Sequence, residues 1–128
     1  FSKTHPQDIS YLTQQASLFI KIKQWPQAEM IYERLKKQFP TNATVYYNMA
    51  RFYNLLKNDE KSLANDKKAV YYAPKNINYH YQLGMTYYKL SMFTMAIEEY
   101  KQCQKLKPSD IRSKKALSTL EKKLGLEE

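Results

Sequence analysis

At 128 residues, with 43% hydrophobic and 26% charged side chains, the chain has the length of one ordinary domain. Two glycines and one cysteine exclude Gly-rich phosphate loops, a disulfide framework and a CxxC metal site, and 14% aromatic residues exclude a disordered tail despite a formal charge of +9. So little glycine leaves few tight hairpin turns and favours a helical protein, and no apolar run approaches the roughly 20 residues that span a bilayer, so no membrane insertion of this segment is expected.

Residues 1–8 read as an N-terminal extension containing His5. A start at Phe1 rather than methionine reads as a processed protein or a piece of a longer one. Compartment therefore stays open, with the cytoplasm slightly favoured over periplasmic or membrane-tethered placement. Residues 9–42 predict two helices. The first is marked by Leu12, Ala16 and Phe19; the second opens at Pro26, where a missing N–H costs nothing, and carries the stripe Ala28, Ile31, Tyr32 and Leu35. Residues 43–76 repeat the pattern: Tyr46, Met49, Ala50 and Tyr53 fall at i, i+3, i+4 and i+7, Asn58-Asp59 supplies capping side chains, and Ser62, Asp66 and Ala69 follow. Residues 77–110 do so again, with His80, Leu83, Gly84 and Tyr87, then Ala96, Tyr100 and Cys103. A last helix is expected over 111–124, with Ser109 as N-cap and Gly125 as stop, and 125–128 as a tail.

The units are in register. Pro40, Pro74 and Pro108 are 34 residues apart, and so are Ala16, Ala50 and Gly84, then Phe19, Tyr53 and Tyr87, and Ala28, Ser62 and Ala96. Small residues in the second of these rows let paired helices approach closely. With Leu83-Gly84, Tyr87, Ala96, Tyr100 and Pro108, the third unit resembles the tetratricopeptide repeat family most plainly. The resemblance implies an all-α fold, a right-handed superhelical stack (α-solenoid) of three hairpins at 9–42, 43–76 and 77–110, closed by a capping helix. Three positions depart from the family pattern: Gln15 stands for leucine, Ser62 for alanine, and Asp66 for the tyrosine found at 32 and 100. Asp66 is expected to weaken the second hairpin unless solvated or paired with a lysine or tyrosine, and tyrosine in its place is expected to stabilise.

Little in the chain suits catalysis, so no enzyme, cofactor or metal is expected. His80 has no second ligand at i+3 or i+4 and reads as packed, Cys103 reads as a small buried hydrophobe, and the adjacent pairs Asp59-Glu60 and Glu98-Glu99 point in different directions on their helices. Nucleic acid is not the expected main ligand, because 18 lysines face only 3 arginines and the four segments carry +3, +3, +1 and +2 without a dominant block.

The resemblance implies instead a concave groove lined by the first helix of each unit, holding an extended peptide or a partner helix. Partner-binding residues are then Tyr47, Tyr81, Met85 and Tyr88 as apolar anchors, and Asn48, Asn54 and Gln82 as polar guides. Arg51, Lys89, Arg112 and Lys115 supply positive charge, so an acidic protein or peptide is the expected partner. Family members that grip chaperone tails use two lysines, two asparagines and an arginine; the matching positions here hold Thr13, Ser17, Asn48, Asn78 and Gln82, and only Asn48 agrees. The alternatives are a self-assembling or stacking module that forms homo-oligomers, and weak nucleic-acid binding through the lysine surface.

Overall fold

The computed structural model describes residues 8–126. His5 and most of the expected N-terminal extension, and the last two residues of the tail, lie outside them. Among the described residues there are seven α-helices and no strand: α1 (Ile9–Lys21), α2 (Trp25–Gln38), α3 (Ala43–Leu55), α4 (Asp59–Tyr72), α5 (Ile77–Lys89), α6 (Phe93–Leu106) and α7 (Ile111–Lys123). The fold is an all-α solenoid. Consecutive helices pair as α1–α2, α3–α4 and α5–α6, each pair stacks on the next, and α7 packs on α6.

Six of the seven helix starts have a local cause, the exception being α6, which no side chain caps. Asp8, Asn42, Asn58, Asn76 and Asp110 accept hydrogen bonds from backbone N–H groups of the first turns of α1, α3, α4, α5 and α7, and Pro26 sits in the first turn of α2. The cap of α7 is thus Asp110 rather than Ser109. Its carboxylate accepts from the Ser113 N–H at 3.1 Å and from the Ser113 hydroxyl at 2.7 Å, a pairing that Ser109, one residue too early, is not placed to make. The three hairpin turns pass through the left-handed region at Lys23, Lys57 and Ser91, again 34 residues apart. In each, the next N–H reaches back to close the helix, as from Gln24 to the Phe19 carbonyl, Asn58 to Tyr53 and Met92 to Tyr87. Gly125 takes the same role after α7, with φ of 69°.

Two apolar clusters form the core. The first spans the first two hairpins, with Leu12, Leu35, Met49 and Phe52 at its centre. The second joins the third hairpin to α7 through Leu83, Tyr87, Ile97, Tyr100 and Leu120. The division falls at α4, whose buried residues are only Ser62, Asp66 and Ala69. One repeating contact explains this seam. Between the first and second hairpins Tyr32 packs on Phe52, ring centroids 5.3 Å apart. One repeat later the same two positions hold Asp66 and Thr86, and the Thr86 hydroxyl donates to the Asp66 carboxylate at 2.5 Å while Gln82 Nε2 donates to it at 2.6 Å. Ser62 is also satisfied, its hydroxyl donating to the Ala50 carbonyl at 3.1 Å. Asp66 is therefore buried and partnered, by an amide and a hydroxyl rather than by a lysine or tyrosine.

Burial raises the Asp66 carboxyl from 3.8 to about 6, against the opposing pull of its hydrogen bonds from Gln82 and Thr86 and of the Lys89 charge. A folded-state value above the unfolded one means that the folded chain holds the proton more tightly. The stability this group contributes is full below about pH 4 and is lost as pH rises through about 6, a change on the order of 3 kcal/mol. His80 acts in the same sense, because its hydrogen bond to Glu99 raises its value and the benefit of the protonated ring disappears as pH climbs past it. Thermal melts are expected to show a higher midpoint at pH 5 than at pH 7. In Asp66→Asn, which keeps a hydrogen-bonding side chain without the charge, the slope between pH 4 and 6 should flatten; an unchanged slope would assign it elsewhere.

Candidate functional site

The first helices line a cleft of about 420 Å³. Thr13, Ser17 and Ile20 from α1 form one wall, Asn48, Arg51, Asn54 and Leu55 from α3 the middle, and Gln82 from α5 the far side, with Tyr32 and Phe52 reaching it from the first seam. Helical spacing accounts for the alignment. Asn48, Arg51 and Leu55 recur every three or four residues on the face of α3 turned away from its pairing stripe, and Thr13, Ser17 and Ile20 do the same on α1.

Of the residues expected to bind a partner, Asn48, Arg51, Asn54 and Gln82 come together in this cleft. Gln82 is held from beneath, its Nε2 fixed on buried Asp66, so its carbonyl oxygen is the group left to face a ligand. Lys89 borders the same region and donates to Asn54 Oδ1. The others lie along α3, α5 and α7, outside the cleft lining. Tyr47 is half-buried and stacks on Tyr79, centroids 4.6 Å apart, with the Arg51 guanidinium 5.7 Å from its ring. Tyr81 leans on Tyr100 at 5.6 Å and is covered by the Arg112 guanidinium at 4.6 Å. Arg112 is itself anchored, donating to Asn78 Oδ1 at 2.9 Å and to Asp110 Oδ1 at 3.3 Å. Met85 and Tyr88 are exposed, Tyr88 resting on Phe93 at 5.5 Å beside a small recess formed with Tyr100, Ala116, Thr119 and Leu120. Lys115 is exposed on α7.

Thr13, Ser17 and Ile20 stand one repeat before Tyr47, Arg51 and Asn54, so the 34-residue spacing places them on the groove side, whereas Leu55 carried no such signal. A larger recess of about 630 Å³ lies among Glu33, Arg34, Lys36 and Lys37 of α2 with Pro40 and Tyr46. It is bounded by long charged side chains, Lys36 paired with Glu33 at 3.7 Å, around a ring whose hydroxyl is already committed to the Pro40 carbonyl at 2.6 Å.

Titratable groups elsewhere are structural. His80 is buried, with Nδ1 2.7 Å from Glu99 Oε1 and Nε2 2.7 Å from the Pro74 carbonyl, repeating one unit later the link from Tyr46 to Pro40. Burial pushes the Cys103 thiol up to about 12, which leaves it protonated and unreactive at neutral pH. Among the described residues no three His, Cys, Asp or Glu side chains gather where a metal ion would sit, and no helix is long and apolar enough to cross a membrane.

Two tetratricopeptide repeat family models match the chain, one over residues 43–76 and 77–110 and the other over 11–42. None of the curated proteins matches it significantly. Similar solved structures include the TPR domain of Arabidopsis OM64, 24% identical with a TM-score of 0.76 over 88% of this chain and 93% of that one. MamA is 19% identical with a TM-score of 0.84, over 97% and 72%. The second TPR domain of human RPAP3, in complex with the HSP70 peptide SGPTIEEVD, is 19% identical with a TM-score of 0.78, over 92% and 98%. At these identities the likeness is one of fold.

Proposed function

The chain belongs to the tetratricopeptide repeat family, and from that premise we propose that it is a non-enzymatic interaction module that holds an extended peptide in the cleft across α1, α3 and α5. The observation that carries this reading is the convergence of Asn48, Asn54 and Gln82 on one cleft, with Gln82 fixed from behind by Asp66. Side-chain amides both donate and accept, so they pair with the N–H and C=O groups of an extended backbone without regard to its side chains. Affinity would then come from Ile20 and Leu55 within the cleft and from Met85 and Tyr88 farther along α5, surfaces that accept apolar side chains.

Similar structures hold the HSP90 peptide SRMEEVD and the HSP70 peptide SGPTIEEVD. Where tail-gripping family members place lysines and an arginine, this chain has Thr13, Asn78 and Gln82, so recognition of an internal segment fits better than grip on a terminal carboxylate. Arg51, Lys89, Arg112 and Lys115 favour acids in that segment, mainly through the rate of encounter. For a peptide selected on the purified chain from a displayed random library, the double variant Asn48→Ala, Gln82→Ala should weaken binding by about 2 kcal/mol while circular dichroism stays unchanged. Full affinity in that variant would remove the cleft from the account.

A further inference from the structure

We infer, resting on the reading of the cleft given above, that the recess among Tyr88, Tyr100, Ala116, Thr119 and Leu120 is a second site on the same groove, which takes one aromatic side chain of the bound segment, a tyrosine or a tryptophan. Each of its five lining residues stands two repeats after a residue that lines the cleft: Ile20, Tyr32, Asn48, Arg51 and Phe52, in that order. The fold thus builds one concavity twice, at the seam between the first and second hairpins and again where α7 packs on the third. One repeat after the cleft the same five places hold Asn54, Asp66, Gln82, Met85 and Thr86. There Asp66 accepts hydrogen bonds across the seam from Gln82 and Thr86, so the chain's own side chains occupy the place and the open sites lie on either side of it.

What differs between the two open sites decides what each accepts. The cleft offers the Asn48 amide and the Arg51 guanidinium, whereas the recess has a methyl group at Ala116, a hydroxyl at Thr119 and the Tyr88 ring in place of Ile20. A charged or amide side chain entering there would lose its water without finding a matching partner. The recess measures about 200 Å³. An apolar cavity of about 150 Å³ holds a benzene ring, so one aromatic side chain fits, with the rings of Tyr88 and Tyr100 to pack against. The Tyr100 hydroxyl narrows the choice further. Tyr100 is only 4% exposed, and its hydroxyl makes no hydrogen bond among the described residues; the oxygen is not sealed from solvent, and the residue lines the recess. A phenylalanine ring would strip that hydroxyl of water and return nothing, a cost that a tyrosine hydroxyl or a tryptophan N–H avoids.

Amide chemical-shift titrations of the full chain with N-acetyl-tyrosinamide and N-acetyl-phenylalaninamide test the recess with nothing bound in the cleft. The expected shifts centre on Tyr88, Ala116, Thr119 and Leu120, with the tyrosine probe bound about fivefold more tightly. Tyr100→Phe should bind the two probes alike at an unchanged melting temperature, because the lost hydroxyl bonds nothing in the fold. Ala116→Leu, which places a side chain in the recess, should abolish binding of both. Shifts centred elsewhere, equal affinity for the two probes in the wild type, a preference that survives Tyr100→Phe, or binding that survives Ala116→Leu each overturn the proposal. A peptide selected on the purified chain separates this site from the cleft: Ala116→Leu should weaken it about tenfold. A peptide weakened by the Asn48→Ala, Gln82→Ala pair and indifferent to Ala116→Leu removes the recess and leaves the cleft standing, and the reverse pattern keeps the recess and removes the cleft.

Discussion

Replacing Gly84 with leucine is expected to lower the stability of the fold by roughly 3 kcal/mol, enough to unfold a marginal domain. Even a methyl group at this position meets Tyr100, whose Cε1 would lie 2.7 Å from the added Cβ and Cζ 3.0 Å from it. The Tyr100 ring is buried and leans on Tyr81, which Arg112 covers in turn, so on that side the ring is held in place. Alanine gains up to about 1 kcal/mol from helix propensity and loses it to this contact. Leucine adds three more carbons to the same gap, and α5 and α6 must separate. A thermal melt compares the variants; a leucine variant that melts with the wild type would mean that this pair of helices does not pack as described.

The second large effect concerns Asp66, and it reverses the expectation drawn from the other two units. Asp66→Tyr removes the acceptor of Thr86 and Gln82 and thrusts a ring against a hydroxyl, in a seam where Thr86 is too short to pack under it. A loss of about 2–3 kcal/mol is expected. Adding Thr86→Leu should recover at least half of it, because tyrosine over leucine is the pair found at the last seam, between Tyr100 and Leu120. Denaturant melts of the two single variants and the double variant form the cycle that measures this coupling. If Asp66→Tyr alone stabilises the chain, the polar seam is not the structural feature described.

That seam also shows how much of the molecule its sequence made legible. Rows of equivalent residues at 34-residue spacing, with helical stripes within each unit, were enough for the hairpins, the close approach at Gly84 and the packed state of His80 and Cys103. Such rows compare like with like, whereas contacts join unlike positions. The exchange of Tyr32 over Phe52 for Asp66 over Thr86 becomes visible only when the rows at 32 and 52 are read together. For the same reason the engagement of Tyr47 by Tyr79, and of Tyr81 by Arg112, did not follow from the placement of those tyrosines on the groove side. Each belongs to a contact between repeats. The amides of the cleft were legible because helical phase alone fixes which side of a first helix they occupy, and because no neighbouring repeat covers that side.

The central claim is that this cleft is where a partner chain lies. Amide chemical-shift mapping of the full chain, titrated with a peptide selected from a displayed library, reads the location directly. The account predicts the largest shifts at Asn48, Arg51, Asn54 and Gln82 and along the facing side of α1, with α2 and α4 quiet. Shifts concentrated instead around Arg34, Lys37 and Lys68, on the second helices, would contradict it.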